Sequence, residues 1–73
     1  MNNNLLLQAA KWLTELGIRT EPAQTYLKIS RDDVENCGLF DNIAGLVSEL
    51  KIAVSSKIYL ELTTDDHYHL NSF

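Results

Sequence analysis

Two histidines, His67 and His69, stand two residues apart near the end of the chain, in a segment whose alternation reads as a β-strand. Residues i and i+2 of a strand leave the same face, so the two imidazoles could share a metal ion, with Glu61, Asp65 or Asp66 as an oxygen ligand. Such a site would need neutral rings and would be pH-sensitive. Two histidines without a spaced second pair are more ordinarily solvated strand residues, and no metal is assigned to them. They serve equally well as polar contacts to a partner.

The remaining candidates for chemistry are thinner. Cys37 is the single cysteine. A lone cysteine facing inward from a short helix behaves as a small apolar core residue, and no oxyanion or substrate-binding motif accompanies it. Asp32, Asp33 and Glu35 fall in the first turns of a predicted helix, where negative charge favours the macrodipole. Asp41 and Glu49 likewise read as a solvated acidic surface. Neither a P-loop nor a dinucleotide fingerprint is present, and 73 residues leave little room for both a core and a substrate pocket. The expectation is a protein that is not an enzyme and that uses no cofactor.

The elements that must position these side chains follow from periodicity. Leu5, Leu6, Ala9, Leu13 and Leu16 recur at helical spacing, with asparagines before them as caps and Gly17 after them as a left-handed stop. Ile18 can then fold back onto Leu13. Two readings compete for Arg19 to Ile29. Thr25, Tyr26, Leu27, Lys28 and Ile29 alternate as a short strand, whereas Pro22 at a first helical position would open a helix. Ser30, three residues before Asp33, has a capping-box arrangement and opens a short helix that Gly38 ends, with Val34 and Cys37 inward.

Leu39 and Phe40 form an apolar turn, and Asp41 caps a longer helix carrying Ile43, Leu46, Val47, Leu50 and Ala53 on one stripe. From Lys57 to Leu62 the pattern is a strand with Ile58, Leu60 and Leu62 on one face and Tyr59 and Glu61 on the other. Thr63 to Asp66 is a four-residue hairpin loop. His67 to Leu70 is the returning strand, with Tyr68 and Leu70 inward and both histidines outward. Trp12, on the edge of the first stripe, is either core or a partly exposed anchor.

Composition sets the outer limits. Apolar residues make up 45% and charged residues 22%, a globular balance that supports one domain over residues 1–73. A core of this size contributes only ~3–5 kcal/mol of net stability, which leaves room for a homodimer. The formal net charge of −4 opposes an electrostatic grip on nucleic acid or anionic lipid and suits a protein partner, one with a basic surface above all. With no membrane-length apolar run, no signal-peptide pattern at the start and no second cysteine, a reducing cytoplasm is the expected location.

Helix, strand, helix, helix, strand, strand is an α+β order that resembles the winged helix-turn-helix superfamily. The likeness is best over Ile29 to Val34, Gly38 to Phe40 and Ile43 to Leu50, with Ile58 to Leu70 in the place of the wing hairpin. It implies a DNA-binding regulator whose longer second helix enters the major groove, and on this sequence the contacts would fall to Arg31, Asn42, Ser48, Lys51 and Lys57. The chain departs from that pattern in charge. Lys51 is the only cation on the predicted recognition helix, and Asp65 and Asp66 would stand at the wing tip, facing a phosphate backbone with like charge. The leading expectation is therefore a small acidic interaction domain, an adaptor or inhibitor, using Tyr59, Glu61, Asp65, Asp66, His67 and His69. DNA binding is the alternative.

Overall fold

The computed structural model describes residues 3–63 and 66–73, Asn3 by its backbone alone. Their order is α1 (Asn3–Glu15), β1 (Thr20–Pro22), β2 (Leu27–Ser30), α2 (Arg31–Cys37), α3 (Ile43–Ala53), β3 (Ile58–Leu62) and β4 (His67–Ser72). The domain is α+β, as the periodicities imply, with one strand more than expected.

The first helix ends as its glycine predicts. Gly17 takes φ 85°, and the Ile18 and Gly17 amides donate back to the carbonyls of Leu13 and Thr14, each at 3.0 Å. This pair of bonds satisfies carbonyls that the helix end would orphan, and it carries Ile18 inward. Leu6, Ala9 and Leu13 form a stripe buried together with Ile18.

The stretch after Arg19 is where structure and expectation part. It holds neither one strand nor a helix opened at Pro22, but a β1–β2 hairpin with Thr20 opposite Ile29 and Pro22 opposite Leu27. The bond from the Ala23 amide to the Tyr26 carbonyl, 2.9 Å, closes its loop. Pro22 is tolerated because β1 lies at the edge of the sheet, where a missing N–H breaks no central ladder.

Ser30 caps α2, its hydroxyl accepting from the Asp33 amide at 3.3 Å, and Gly38 ends the helix at φ 72°. Only half of the capping box forms. The Ser30 amide is already bonded to the Arg19 carbonyl in the hairpin, and the Asp33 carboxylate turns to Arg19 instead. One residue separates expectation and structure at α3, where Asn42, rather than Asp41, is the cap and accepts from the Gly45 amide at 3.0 Å. Leu46 and Leu50 of that helix are buried, while Ile43 and Ala53, expected on the inner stripe, lie exposed at its two ends.

All strands pair antiparallel in the order β1-β2-β4-β3. The last hairpin brings β4 back between β3 and β2, so the C-terminal strand is central and runs to Ser72, two residues past Leu70. The core joins the helix stripes to one face of this sheet: Leu27 and Ile29, Ile58, Tyr68 and Leu70. Cys37 sits half-buried against that core, its thiol donating to the Val34 carbonyl. Trp12 is also half-buried, with its ring 6.3 Å from that of Phe40. Among the described residues no helix is long and apolar enough to cross a membrane.

Candidate functional site

The opposite face of the sheet carries the side chains left over from the core. Alternation along β2, β3 and β4 puts Lys28, Tyr59, Glu61, His67, His69 and Asn71 there, and strand register sets their neighbours. Glu21 pairs with Lys28, Lys28 with His69, and His69 with Glu61. A single row therefore crosses the whole sheet as acid, base, imidazole, acid. Tyr59 stands opposite Asn71 in the next row.

Aromatic contacts cover this surface where no helix does. Tyr26, the residue that enters β2, stacks on His69 with ring centroids 4.1 Å apart and planes 18° from parallel. Phe73 lies over Tyr59 at 4.9 Å and 30°. These offset and tilted arrangements are the ones ring quadrupoles favour. The Asn71 amide donates to the Glu61 carboxylate at 3.4 Å and to the His69 carbonyl at 3.3 Å. His69 Nε2 is buried without a hydrogen-bond partner among the described residues.

Of the six residues expected to face a partner, Tyr59, Glu61, His67 and His69 share this open face. The two histidines were expected to stand fully outward, and instead both are half-buried. For His69 the cause is the Tyr26 ring, and His67 stands beside Ser30 in register. Asp66 lies in the turn before β4, at φ 60°, and its carboxylate is 3.5 Å from the Arg31 guanidinium. Asp65 lies outside the described residues. No group of three or more His, Cys, Asp or Glu placed to hold a metal ion occurs among the described residues.

The residues that would read DNA are dispersed over several segments. Arg31 opens α2, where its Nε donates to Glu35 at 2.9 Å, an i,i+4 pair that raises the guanidinium's pKa. Asn42 spends its side-chain oxygen on capping α3. Ser48 and Lys51 are exposed on that helix, and Lys57 is exposed before β3.

A groove of about 540 Å³ opens beside the row of charges, where the β1–β2 hairpin meets the start of β4. Arg19, Glu21, Lys28, Asp32 and Asp66 line it with both signs of charge. Arg19 is committed to Asp33, with Nε to Oδ2 at 2.8 Å, Nη2 to Oδ1 at 3.2 Å and its backbone amide at 2.9 Å. Bonding from the guanidinium, then from that amide, holds the Asp33 carboxyl below the usual carboxylate range. This pair clamps the start of α2 to the start of the hairpin.

Glu21, Lys28, Asn71 and Phe73 were not singled out from sequence as members of one surface. The alternation of Tyr26 and Lys28 against buried Leu27 and Ile29 was the signal for Lys28; Glu21 becomes a neighbour only through pairing. No family model, curated protein or solved structure matches this chain.

Proposed function

We propose that this chain is a small acidic protein-protein interaction domain, an adaptor or inhibitor without catalysis of its own, working in the cytoplasm through the open face of its sheet. The observation that carries the reading is the pair of ring contacts, Tyr26 on His69 and Phe73 on Tyr59, on a sheet face with no helix over it. Aromatic rings with a polar tip are the groups that anchor protein interfaces, since they bury large area at low entropic cost. Glu61 and Lys28 beside them supply the charges that fix register and exclude wrong partners.

Net charge gives the partner its sign. At −4 the domain attracts a basic surface over a distance set by ionic strength, and an inhibitor of a nucleic-acid-binding protein would use that attraction by occupying the basic surface itself.

The winged-helix reading, a DNA-binding regulator, keeps one observation in its favour. Helices α2 and α3 are followed by a hairpin whose second strand, β4, returns to lie between β3 and β2. Its weakness is electrostatic. Arg31 is engaged by Glu35 and faces Asp66, and α3 offers Lys51 against Glu49. A protein making several phosphate contacts releases counterions and loses affinity steeply as salt rises. Titration of the domain with mixed duplex DNA at low salt separates the two readings. The interaction-domain reading expects no binding; tight binding that collapses between low and physiological salt would overturn it in favour of the regulator.

A further inference from the structure

The two edges of the sheet are finished differently. At β1 the bonds from the Ser30 amide to the Arg19 carbonyl and from the Ala23 amide to the Tyr26 carbonyl mark the bonded pairs. Antiparallel ladders alternate, so Thr20 and Pro22 turn their backbone outward, and Pro22 has no N–H to offer. That edge is short and blunted, which is a usual protection against pairing with another chain.

At β3 the Phe73 amide donates to the Lys57 carbonyl at 2.9 Å and the Thr63 amide to the His67 carbonyl at 3.1 Å. With the register of Ile58 on Ser72 through Leu62 on Tyr68, the same alternation turns the N–H and C=O groups of Ile58, Leu60 and Leu62 away from β4. No proline interrupts this strand, and among the described residues none beyond the strand hydrogen-bonds to those groups. Leu62 is 61% exposed beside them.

We infer that this edge docks a second copy of the chain, β3 running antiparallel to its counterpart about a two-fold axis through Leu60, so that two four-stranded sheets become one. The strand's own sequence argues for this occupant. Pairing centred on Leu60 uses every outward backbone group. It sets Ile58 opposite the partner's Leu62 on the helix side, which gives the exposed leucine an apolar neighbour. On the open side Tyr59 stands opposite the partner's Glu61, and Lys57 lies diagonal to that carboxylate, within reach of a long side chain.

Lys57 and Glu61 are both exposed, and among the described residues Glu61 is held within its own chain only by the 3.4 Å bond from Asn71. The two-fold axis thus repeats the Lys57–Glu61 attraction twice, against a single diagonal approach of Glu61 to its own counterpart. Centring on Ile58 instead would set Leu62 opposite the partner's Val54, at the end of α3 and before β3 begins, so its outward backbone groups would find no strand to pair with, and centring on Leu62 would leave Lys57 without the carboxylate. Isologous pairing of this kind closes on itself and leaves no sticky end for fibre growth. The inference does not depend on what binds the open face, although it would place two such faces side by side.

Sedimentation of the full chain over a wide concentration range tests it. The expected result is a reversible monomer–dimer equilibrium. E61K, which turns both attractions into repulsions, should raise the dissociation constant roughly ten-fold. Adding K57E to E61K, which swaps the signs, should return it close to the wild-type value. Leu62→Pro, which removes an outward N–H without touching the bonds to β4, should abolish the dimer. Circular dichroism shows whether that proline variant folds; where it does not, the charge-swap pair alone decides. A wild-type chain that stays monomeric at about 500 μM, well above a micromolar dissociation constant, overturns the inference. So does a dimer indifferent to E61K, or one that the double swap fails to restore.

Discussion

On the helix side of the sheet Leu27, Ile29, Ile58 and Leu70 are each exposed by 1% or less, while their chain neighbours Tyr26, Lys28, Tyr59 and His69 on the other side remain half-buried. Alternation alone separates the two sets. The first face is aliphatic apart from Tyr68 and closed by α1, α2 and α3, so its contribution to stability is apolar area removed from water. The second is closed by its own rings, and its polar tips, apart from the buried His69 Nε2, stay within reach of another molecule. On the proposed reading, stability and recognition fall to opposite faces of the same strands, and substitutions should separate them.

The largest effect is expected on the closed face. Leu70→Ala removes a fully buried side chain from the central strand and should cost ~2–5 kcal/mol. That is comparable to the whole net stability of ~3–5 kcal/mol typical of so small a core. Urea denaturation followed by circular dichroism should find the variant largely unfolded before denaturant is added. A midpoint close to wild type would mean that the helix-side face is not what holds the sheet.

Next in size is the stop of α1. Gly17 holds φ 85°, and no atom lies within 4 Å of where a Cβ would stand, so Gly17→Ala pays for backbone strain alone, ~1–2 kcal/mol. Thermal melts should show a lower midpoint with unchanged secondary structure. An unshifted midpoint would show that Ile18 reaches the core without the left-handed turn.

A smaller effect depends on pH. Asp33 has its folded-state pKa depressed by Arg19, so its contribution to stability is complete above the unfolded carboxylate value of about 3.9 and is lost as pH falls through the lower folded value. Asp33→Asn should be less stable than wild type at neutral pH, and the difference should shrink as the medium is acidified below about pH 4. Denaturation midpoints across that range check the sign; a gap that widens on acidification would contradict it.

How much of this was legible beforehand differs by element. The leucines of α1, Gly17, Gly38 and the alternation of Ile58 to Leu70 carry local signals, and the helices and last hairpin follow from them. β1 does not: Thr20, Glu21 and Pro22 include one residue that cannot donate to a ladder, and only pairing with β2 makes them a strand. The candidate surface was visible in part. Tyr59, Glu61 and the histidines announce one face by spacing. The row from Glu21 through Lys28 and His69 to Glu61 depends on register between strands distant in the chain, which no local pattern encodes. The Tyr26 stack that half-buries His69 has the same origin.

The open face should show the smallest effect on stability and the largest on recognition. Tyr59→Ala combined with Glu61→Gln leaves the buried face untouched; the change at exposed Glu61 should cost no more than about 0.5 kcal/mol, and that at half-buried Tyr59, with its contact to Phe73, about 0.5–1.5 kcal/mol. The direct measurement is parallel affinity capture from a lysate of the source cells with wild type and this double variant, both shown to be folded by their melts. The account predicts a protein retained by the wild type and lost from the variant. Equal retention of the same protein by both would contradict it.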